Sequence, residues 1–343
     1  MTDAMGPDEW DGVAAVLGSR IRAVDTLAGG FSHETCLLTL ADGQVVARLG
    51  GADPIVEAAV MASARRYVPV PQVWRVIPGA EIADGARSVM ICEYVAGTPL
   101  SQVLSGVGGD EAAGAWDEAA GAWAGETRAA DGLGGSGMYG LGAEVGRVVA
   151  DIGRVTFERP GFFTGEQLAV SVERPWSQGL PEFAAACMGT TAEARLDAAT
   201  RRSWVELCVR HAPALRAVDD HRQLVHADIN PKNILVSRAG AGWTVDAVLD
   251  WEFSYSGCSY GDAANMARFP GEYPASFLDG FRAGFVDGHP AGDPQQEHWG
   301  HLGRVLDMFA LSDLVTRPPG HPTAAQAAEV MRRWVAYGVP RSI

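Results

Sequence analysis

Four polar residues in the second half of the chain have the types and spacing that phosphoryl transfer requires. They are His226, Asp228 and Asn233 in one short segment, and Asp250 at the end of a predicted hairpin. A carboxylate such as Asp228 can accept the proton of an attacking hydroxyl. The amide oxygen of Asn233 and the carboxylate of Asp250 are hard oxygen ligands of the kind that Mg²⁺ prefers. The order His-x-Asp-x-x-x-x-Asn, hairpin, Asp therefore predicts a base at Asp228 beside a metal site at Asn233 and Asp250.

His226 and a further residue, Asp262, are expected to support this segment. We place His226 with Asp228 in the candidate catalytic segment, and we expect it to hydrogen-bond the backbone near Asp250 and shape the loop rather than transfer protons. Asp262 is expected to cap a helix or to anchor the catalytic loop. The alternative interpretation of Asp228 is an Asx turn in a loop, but the register with the other three residues favours the catalytic interpretation.

The residues up to Gly97 predict a small lobe rich in strands. Asp42-Gly43 is typical of a hairpin turn, and Pro54 is well placed at the first position of a helix. In the third expected strand, residues 45–49, Val46 and Arg48 share one face, and Val45, Ala47 and Leu49 share the other. The expected strands are Ile21 to Leu27, Thr35 to Leu40, Val45 to Leu49, Val73 to Val76 and Ser88 to Val95, with a helix from Pro54 to Arg66.

The rest of the chain predicts a larger, mainly helical lobe, interrupted by two strands between Leu224 and Trp251. We expect a helix over Asp110 to Ala130, a flexible loop over the glycine-dense stretch Gly132 to Gly142, and a loop between helices over Gly280 to Asp293. The predicted fold is therefore α+β and bilobal, with an N-lobe at residues 1–97 and a C-lobe at residues 98–343.

Together these motifs resemble the aminoglycoside phosphotransferase family, which shares its architecture with choline kinases and protein kinases. The family's His-Gly-Asp-x-x-x-x-Asn loop and Asp-Trp-Glu-like strand end read here as residues 226–233 and 250–252, and a Gly and an Asp-Leu-Ala-like helix start follow at residues 257–264. Ala227 replaces the usual glycine, and Cys258-Ser259 replaces the usual Asp-Pro. The resemblance covers residues 20–315 in order. It implies a protein-kinase-like fold that uses ATP as co-substrate, with GTP not excluded, and Mg²⁺.

The same resemblance implies a nucleotide site in the first lobe. Its loop corresponds to Gly29, Gly30 and Ser32, and a plain hairpin turn is the alternative interpretation of these residues. Its hinge corresponds to residues 93–100, where Glu93 and Val95 would pair with adenine through backbone groups.

In the family, one strand position of the first lobe holds a lysine that binds phosphate. In this chain the same position holds Arg48. The only lysine of the chain is Lys232, inside the catalytic loop, where it can face phosphate or water. We infer that Arg48 contacts the nucleotide phosphates and is positioned by Glu57, because a guanidinium keeps the charge and binds phosphate in a bidentate way. The alternatives are a solvated strand residue for Arg48 and an exposed helix residue for Glu57.

Composition limits the partners and the location. The formal net charge of −15 argues against nucleic acid and would favour a cationic ligand, or would serve solubility alone. The five cysteines form no CxxC pair, which argues against a disulfide framework and a zinc site. The start MTDAMGPDEW is unlike a secretory signal, and no stretch is apolar for long enough to cross a bilayer. We therefore expect a cytoplasmic protein with no membrane partner.

The acceptor site is expected in the second lobe. Asp307 and Asp313 fall on a predicted helix with apolar neighbours, where inward carboxylates would suit an amine-bearing acceptor, and a solvated helix face is the alternative. The predicted function is transfer of the γ-phosphoryl group of ATP to a hydroxyl of a small molecule. By resemblance the acceptor is an aminoglycoside or another antibiotic. A metabolic kinase acting on choline-like, sugar or amino-alcohol acceptors, a metal-dependent phosphohydrolase and a catalytically silent nucleotide-binding module are the alternatives.

Overall fold

The amino-terminal part of the chain is built on one antiparallel sheet. The structure, a computed structural model, describes residues 5–27, 34–107, 115–117, 122–124, 135–171, 173–189, 191–240, 242–289, 297–318 and 320–343. The sheet has the strand order β1-β2-β3-β5-β4. Its strands are β1 (Ala23–Leu27), β2 (Glu34–Thr39), β3 (Gln44–Leu49), β4 (Val73–Ile77) and β5 (Val89–Glu93).

The alternation in β3 decides what each face of this sheet contacts. Val45, Ala47 and Leu49 are buried in a core that packs against α1 (Pro7–Leu17) and α3 (Gly79–Ile82). Arg48 lies on the opposite face, as predicted, where α2 (Pro54–Ala64) packs beside β4 and β5. Asp53 caps α2 by accepting hydrogen bonds from the first backbone N–H groups of the helix. The predicted helix is confirmed, and it ends at Ala64.

The chain crosses to the second part directly after β5. The short strand β6 (Thr98–Pro99) pairs with β12 (Ile234–Ala239), which forms a hairpin with β13 (Gly242–Val248). The backbone oxygen of Pro69 also accepts a hydrogen bond from Val248 N at 2.8 Å, so the linker after α2 lies against the same hairpin.

The second part is mainly helical and carries a second small sheet of order β10-β9-β14-β11. The strands of that sheet are β9 (Gly161–Thr164), β10 (Ala169–Val170), β11 (Gln223–Val225) and β14 (Tyr255–Gly257). The helices are α4 (Leu100–Val107), α5 (Gly135–Ile152), α6 (Trp176–Met188), α7 (Ala198–His211), α8 (Tyr260–Met266), α9 (Ala275–Gly288), α10 (Trp299–Leu314) and α11 (Pro322–Tyr337). The two predicted strands between Leu224 and Trp251 are confirmed as β12 and β13, whereas α1, α3, α4, β6, β9, β10, β11 and β14 were not predicted.

Two glycine-rich stretches that we expected to be loops are helical. Residues 135–142 belong to α5, and residues 280–288 belong to α9. A Cβ atom added at Gly280 would lie 2.0 Å from the backbone oxygen of Tyr139, and one added at Gly142 would lie 2.0 Å from that of Phe277. Glycine is therefore required here because the two helix backbones approach too closely for any side chain. This long-range contact outweighs the low helix propensity of glycine.

The predicted helix over Asp110 to Ala130 is also wrong for the residues that the structure describes. These residues form the paired strands β7 (Ala115–Asp117) and β8 (Ala122–Ala124), and the other residues of that stretch lie outside the description. Trp116 is the register partner of Trp123, and aromatic residues favour strands.

Two predictions drawn from composition can be compared with the described residues. No two of the five cysteines, all of which lie in the described ranges, are joined in a disulfide, as predicted. Within the described ranges, no helix has both the length and the apolar character needed to cross a membrane.

Candidate active site

The loop that carries the candidate base is held by the first turn of α8. The carboxylate of Asp262 accepts hydrogen bonds from His226 N at 2.8 Å and Ala227 N at 2.9 Å. Asn265, one turn further along α8, donates to the backbone oxygen of Ala227 at 3.4 Å. Burial raises the pKa of Asp262 to about 7, and the two backbone N–H groups act in the opposite direction. Asp262 thus anchors the loop, which is one of the two roles that the sequence suggested.

Ala227 lies in a backbone conformation that favours glycine. Its φ is 69°, in the left-handed region. A residue with a Cβ atom pays about 1–2 kcal/mol there. The replacement of the family's glycine by alanine is therefore a source of strain beside the candidate base, and the two bonds to Asp262 help to hold it.

Both ring nitrogens of His226 form hydrogen bonds with backbone groups. Its Nε2 bonds to the backbone oxygen of Leu249 at 2.9 Å, and its Nδ1 accepts from Asp228 N at 3.2 Å. This pattern requires the neutral tautomer that is protonated on Nε2. Burial lowers the pKa of His226 to about 4. The geometry supports the expected loop-shaping role, because the ring ties the residue before Asp250 to the residue that carries the candidate base.

The carboxylate of Asp228 is oriented by two asparagines. Asn233 donates to Oδ2 at 3.0 Å, and Asn230 donates to Oδ1 at 3.2 Å. Burial raises the pKa of Asp228 to about 6, Asp250 raises it further, and Arg268 and the two amides oppose the rise. A carboxylate with a pKa near the working pH is suited to accept a proton from an attacking hydroxyl.

The two candidate metal ligands lie next to each other. Leu249 N donates to the backbone oxygen of Asn233 at 2.8 Å. Asp250, the residue after Leu249, therefore follows directly on the backbone segment that pairs with the end of the catalytic loop. The φ of Asp250 is 69°, in the left-handed region. Aspartate is one of the non-glycine residue types that adopt this region most often. The amide nitrogen of Asn233 faces Asp228, which leaves its amide oxygen on the other side of the group.

These donors fit a magnesium ion that arrives with a nucleotide. Mg²⁺ is commonly held by one or two side-chain oxygens while phosphates and waters complete its shell. Among the residues that the structure describes, no three His, Cys, Asp or Glu side chains are grouped so that they could hold a metal alone. The amide oxygen of Asn233 and the carboxylate of Asp250 are of the kind that could hold the ion, and their role as metal ligands stays a prediction.

Arg48 connects the first sheet to this site. Its Nη2 donates to Asp250 Oδ1 at 2.8 Å, and its Nη1 donates to Glu57 Oε1. Glu57 is only 4% exposed, and it also accepts from Trp251 N at 3.2 Å. Neither alternative interpretation of these residues applies, because Arg48 is not solvated and Glu57 is not exposed.

The structure describes only some of the other residues that we predicted for the nucleotide site. Gly29, Gly30 and Ser32 lie outside the described residues. Glu93 ends β5, where its backbone N–H donates to Gln72 O at 2.8 Å and its side chain accepts from Gln72 N at 3.0 Å. Val95 is half-buried in the connection that leads to β6. Adenine binding at Glu93 and Val95 stays a prediction.

One expectation for the acceptor site is wrong. Asp307 is neither solvated nor available to an amine, because it is buried and Arg268 donates three hydrogen bonds to its carboxylate at 2.6–3.1 Å. Asp313 is partly exposed and pairs with Arg317 at 2.9 Å. Sequence reasoning overlooked Arg268 and Asn230. Asn230 could have been identified from its place inside the catalytic loop, whereas no local signal indicates the partner of Arg268.

Comparison with known proteins places this chain in a family. The profile of the phosphotransferase enzyme family matches residues 24–295. No curated protein sequence matches the chain.

Solved structures share the fold at low sequence identity. A thermostable mutant of aminoglycoside phosphotransferase APH(4)-Ia, in a ternary complex with ADP and hygromycin B, has a TM-score of 0.65 at 14% identity, covering 98% of this chain and 100% of its own. A putative aminoglycoside phosphotransferase from Ralstonia eutropha JMP134 has a TM-score of 0.61 at 19% identity, covering 96% and 95%. A putative fructosamine-3-kinase from Thermobifida fusca YX-ER1 has a TM-score of 0.54 at 16% identity, covering 94% and 97%.

These likenesses confirm the predicted α+β, bilobal, protein-kinase-like fold. Because the family profile spans most of the sequence, the chain belongs to the phosphotransferase enzyme family and is a kinase-type phosphotransferase.

Proposed function

We propose that this protein transfers the γ-phosphoryl group of ATP to a hydroxyl group of a small molecule with the help of Mg²⁺. The observation that supports the proposal is a chain of contacts: Asn233 donates to Asp228, the residue before Asp250 bonds the backbone of Asn233, and Arg48 of the first sheet pairs with Asp250. The complexes of similar proteins with ADP or AMP-PNP support ATP as the donor.

Each residue has a distinct part in the proposed reaction. Asp228 accepts the proton of the acceptor hydroxyl as its oxygen attacks, and the amides of Asn230 and Asn233 keep its carboxylate in place. Arg48, held by Glu57, offsets negative charge on the nucleotide phosphates. When bound, Mg²⁺ would neutralise and orient the phosphates, with Asn233 and Asp250 as its protein ligands.

The acceptor class rests on the neighbours. The APH(4)-Ia complexes contain hygromycin B, which supports an aminoglycoside or another hydroxylated antibiotic as the acceptor. The putative fructosamine-3-kinases among the similar structures support a sugar-derived metabolite as the second candidate.

The test is acceptor-dependent formation of ADP from Mg-ATP across a panel of antibiotics and metabolites. Asp228→Asn should lower turnover by about 10²–10⁴-fold, because it removes the base, while ATP affinity stays within about twofold. Asp279→Asn is a matched control, since this carboxylate is 62% exposed on α9.

Three results would contradict the proposal in different ways. Full activity of Asp228→Asn would refute the assigned base. Release of phosphate from phosphoesters without any acceptor would indicate a hydrolase. ATP binding with no turnover on the whole panel would indicate a silent nucleotide-binding module.

A further inference from the structure

One side of α8 follows the catalytic loop. Asp262 holds the loop through two backbone N–H groups, and Asn265 donates to Ala227 O at 3.4 Å. Arg268 comes next, in the turn after α8, where its backbone N–H donates to Asn265 O at 3.2 Å. Side chains three positions apart are neighbours on a helix surface. Arg268 therefore extends this row toward the residue after Ala227, which is Asp228.

The charges of Arg268 and Asp228 act on each other, which also indicates that they lie close together. Burial raises the pKa of Asp228, and Arg268 is among the groups that oppose the rise. Burial acts to lower the pKa of Arg268, but Asp307 and also Asp228 raise it above its usual value. Because such an effect weakens with distance, the guanidinium is near the candidate base.

One nitrogen of this guanidinium is not used within the described part of the chain. Nε and Nη2 donate to the carboxylate of Asp307, whereas Nη1 forms no hydrogen bond with a residue that the structure describes. Arg268 is 8% exposed, and Nη1 is not among the enclosed polar atoms that lack a partner, so it lies at this small remaining surface. A guanidinium nitrogen of this type carries two N–H donors. A ligand beside Asp228 can therefore accept hydrogen bonds from Nη1.

Two more polar atoms without a hydrogen-bond partner in the described ranges lie along the same helix. Tyr255 Oη lies 3.7 Å from the position of a Cβ atom added at Gly261, four residues before Asn265. Asn265 is 7% exposed, and its Oδ1 is enclosed without a partner. Buried polar atoms are nearly always hydrogen-bonded in folded proteins. We call Tyr255, Asn265 and Arg268 the polar row, and we expect it to receive a polar group of a ligand.

A hydroxyl group fits the polar row better than a charged group. An ammonium group would face the guanidinium of Arg268, and a carboxylate would face Asp228 and Asp307. The carboxylates of Asp307 and Asp262 already accept from Arg268 and from backbone N–H groups, so they are not available to hold an ammonium group. A hydroxyl group can accept from Nη1 and donate its own proton to Tyr255 Oη.

We propose that Arg268 binds the acceptor through Nη1 and recognises a hydroxyl group next to the one that is phosphorylated. Because Arg268 and Asp228 are neighbours, the two hydroxyl groups that they bind must be close together on the acceptor. The acceptor is then a polyol with adjacent hydroxyl groups, as in a sugar or cyclitol ring. This inference rests on the proposed function, because it assumes that the reacting hydroxyl is at Asp228.

The test measures binding of four matched probes to the full chain in the presence of ADP by ligand-observed NMR titration, which needs no turnover. The probes are cis- and trans-1,2-cyclohexanediol, cyclohexanol and trans-2-aminocyclohexanol, which share one ring and differ in the second group. At least one diol should bind about tenfold more tightly than cyclohexanol, because it gains a hydrogen bond to a charged donor. The aminocyclohexanol should bind no more tightly than cyclohexanol.

Two variants locate this preference for a diol. Arg268→Lys keeps a charge beside Asp307 but lacks Nη1, and it should abolish the preference. Tyr255→Phe removes only the hydroxyl group and should reduce the preference. Tyr273→Phe and Arg304→Lys are the matched controls, because both side chains are buried and donate to backbone oxygens. They should keep the preference of the wild type.

Thermal unfolding checks that each variant is folded, and Tyr255→Phe alone decides the outcome if Arg268→Lys does not fold. Three results would overturn the inference: no preference for either diol in the wild type, a full preference in folded Arg268→Lys, or tighter binding of the aminocyclohexanol than of both diols. Full turnover by Asp228→Asn would instead refute the proposed function and would leave the binding result standing.

Discussion

Replacement of Arg48 by methionine should destabilise the protein strongly, because Arg48 neutralises two carboxylates at once. The side chains of Arg48, Glu57 and Asp250 are 11%, 5% and 20% exposed. Methionine keeps much of the length of the side chain and removes its charge. The loss would therefore report the ion pairs more than the packing.

The size of the effect follows from burial. Two unit charges about 4 Å apart interact by about 4 kcal/mol at an effective dielectric constant of about 20. Removing one partner of a buried pair typically costs about 3–5 kcal/mol, because a buried charge is left uncompensated. Asp250 is partly solvated and should add little. We therefore expect Arg48→Met to lower the free energy of unfolding by about 3 kcal/mol.

The pH dependence of this loss has a definite sign. Burial raises the pKa of Glu57, and Arg48 opposes that rise. Without Arg48 the pKa of Glu57 should rise further, so the folded variant would bind a proton that the unfolded chain does not. The stability deficit of Arg48→Met should therefore shrink as the pH falls.

Urea denaturation at several pH values measures these quantities. Arg48→Met combined with Glu57→Gln should lose less stability than Arg48→Met alone, since the uncompensated carboxylate is gone and the amide oxygen can still accept from Trp251 N. A loss below about 1 kcal/mol for Arg48→Met, or a double variant that loses the sum of both single effects, would refute the reasoning.

Three further outcomes concern packing, backbone strain and acid stability. Gly280→Ala should lower the free energy of unfolding in urea by about 3 kcal/mol, because its Cβ would lie 2.0 Å from Tyr139 O. Gly140→Ala is the control and should be neutral or stabilising, since a Cβ there would meet nothing within 4 Å. Equal effects of the two substitutions would contradict the close approach of the helices. Ala227→Gly should stabilise by about 0.5–1 kcal/mol by relieving the left-handed conformation, and a net loss would argue against that strain. Burial lowers the pKa of His226 to about 4, so the unfolded chain binds the proton of this residue first, and the contribution of His226 to stability should be lost as the pH drops from about 6.5 to about 4. The difference in unfolding free energy between the wild type and His226→Asn in urea denaturation should therefore fall over that range, and a difference that does not change with pH would contradict the buried neutral imidazole.

Elements that depend on neighbours along the chain were predictable from the order of the residues. The alternation of Val45 to Leu49 predicts which face of β3 is buried, because side chains of a strand point to opposite faces in turn. Pro54 and the preceding Asp53 mark the start of α2. The spacing of Asp228, Asn233 and Asp250 predicted a shared site, because a short loop followed by a hairpin brings its two ends together.

Features that depend on partners far away along the chain became visible in the folded structure. Glycine-rich residues 135–142 and 280–288 are helical because two helix backbones pack at a distance that excludes side chains. Helix propensity depends on the local residues alone and does not reflect that long-range contact. Asp307 is buried because Arg268 reaches it from another segment and compensates its charge. Arg48 likewise joins a strand of the first sheet to Asp250, since a buried cation is stable only where the fold brings carboxylates to it.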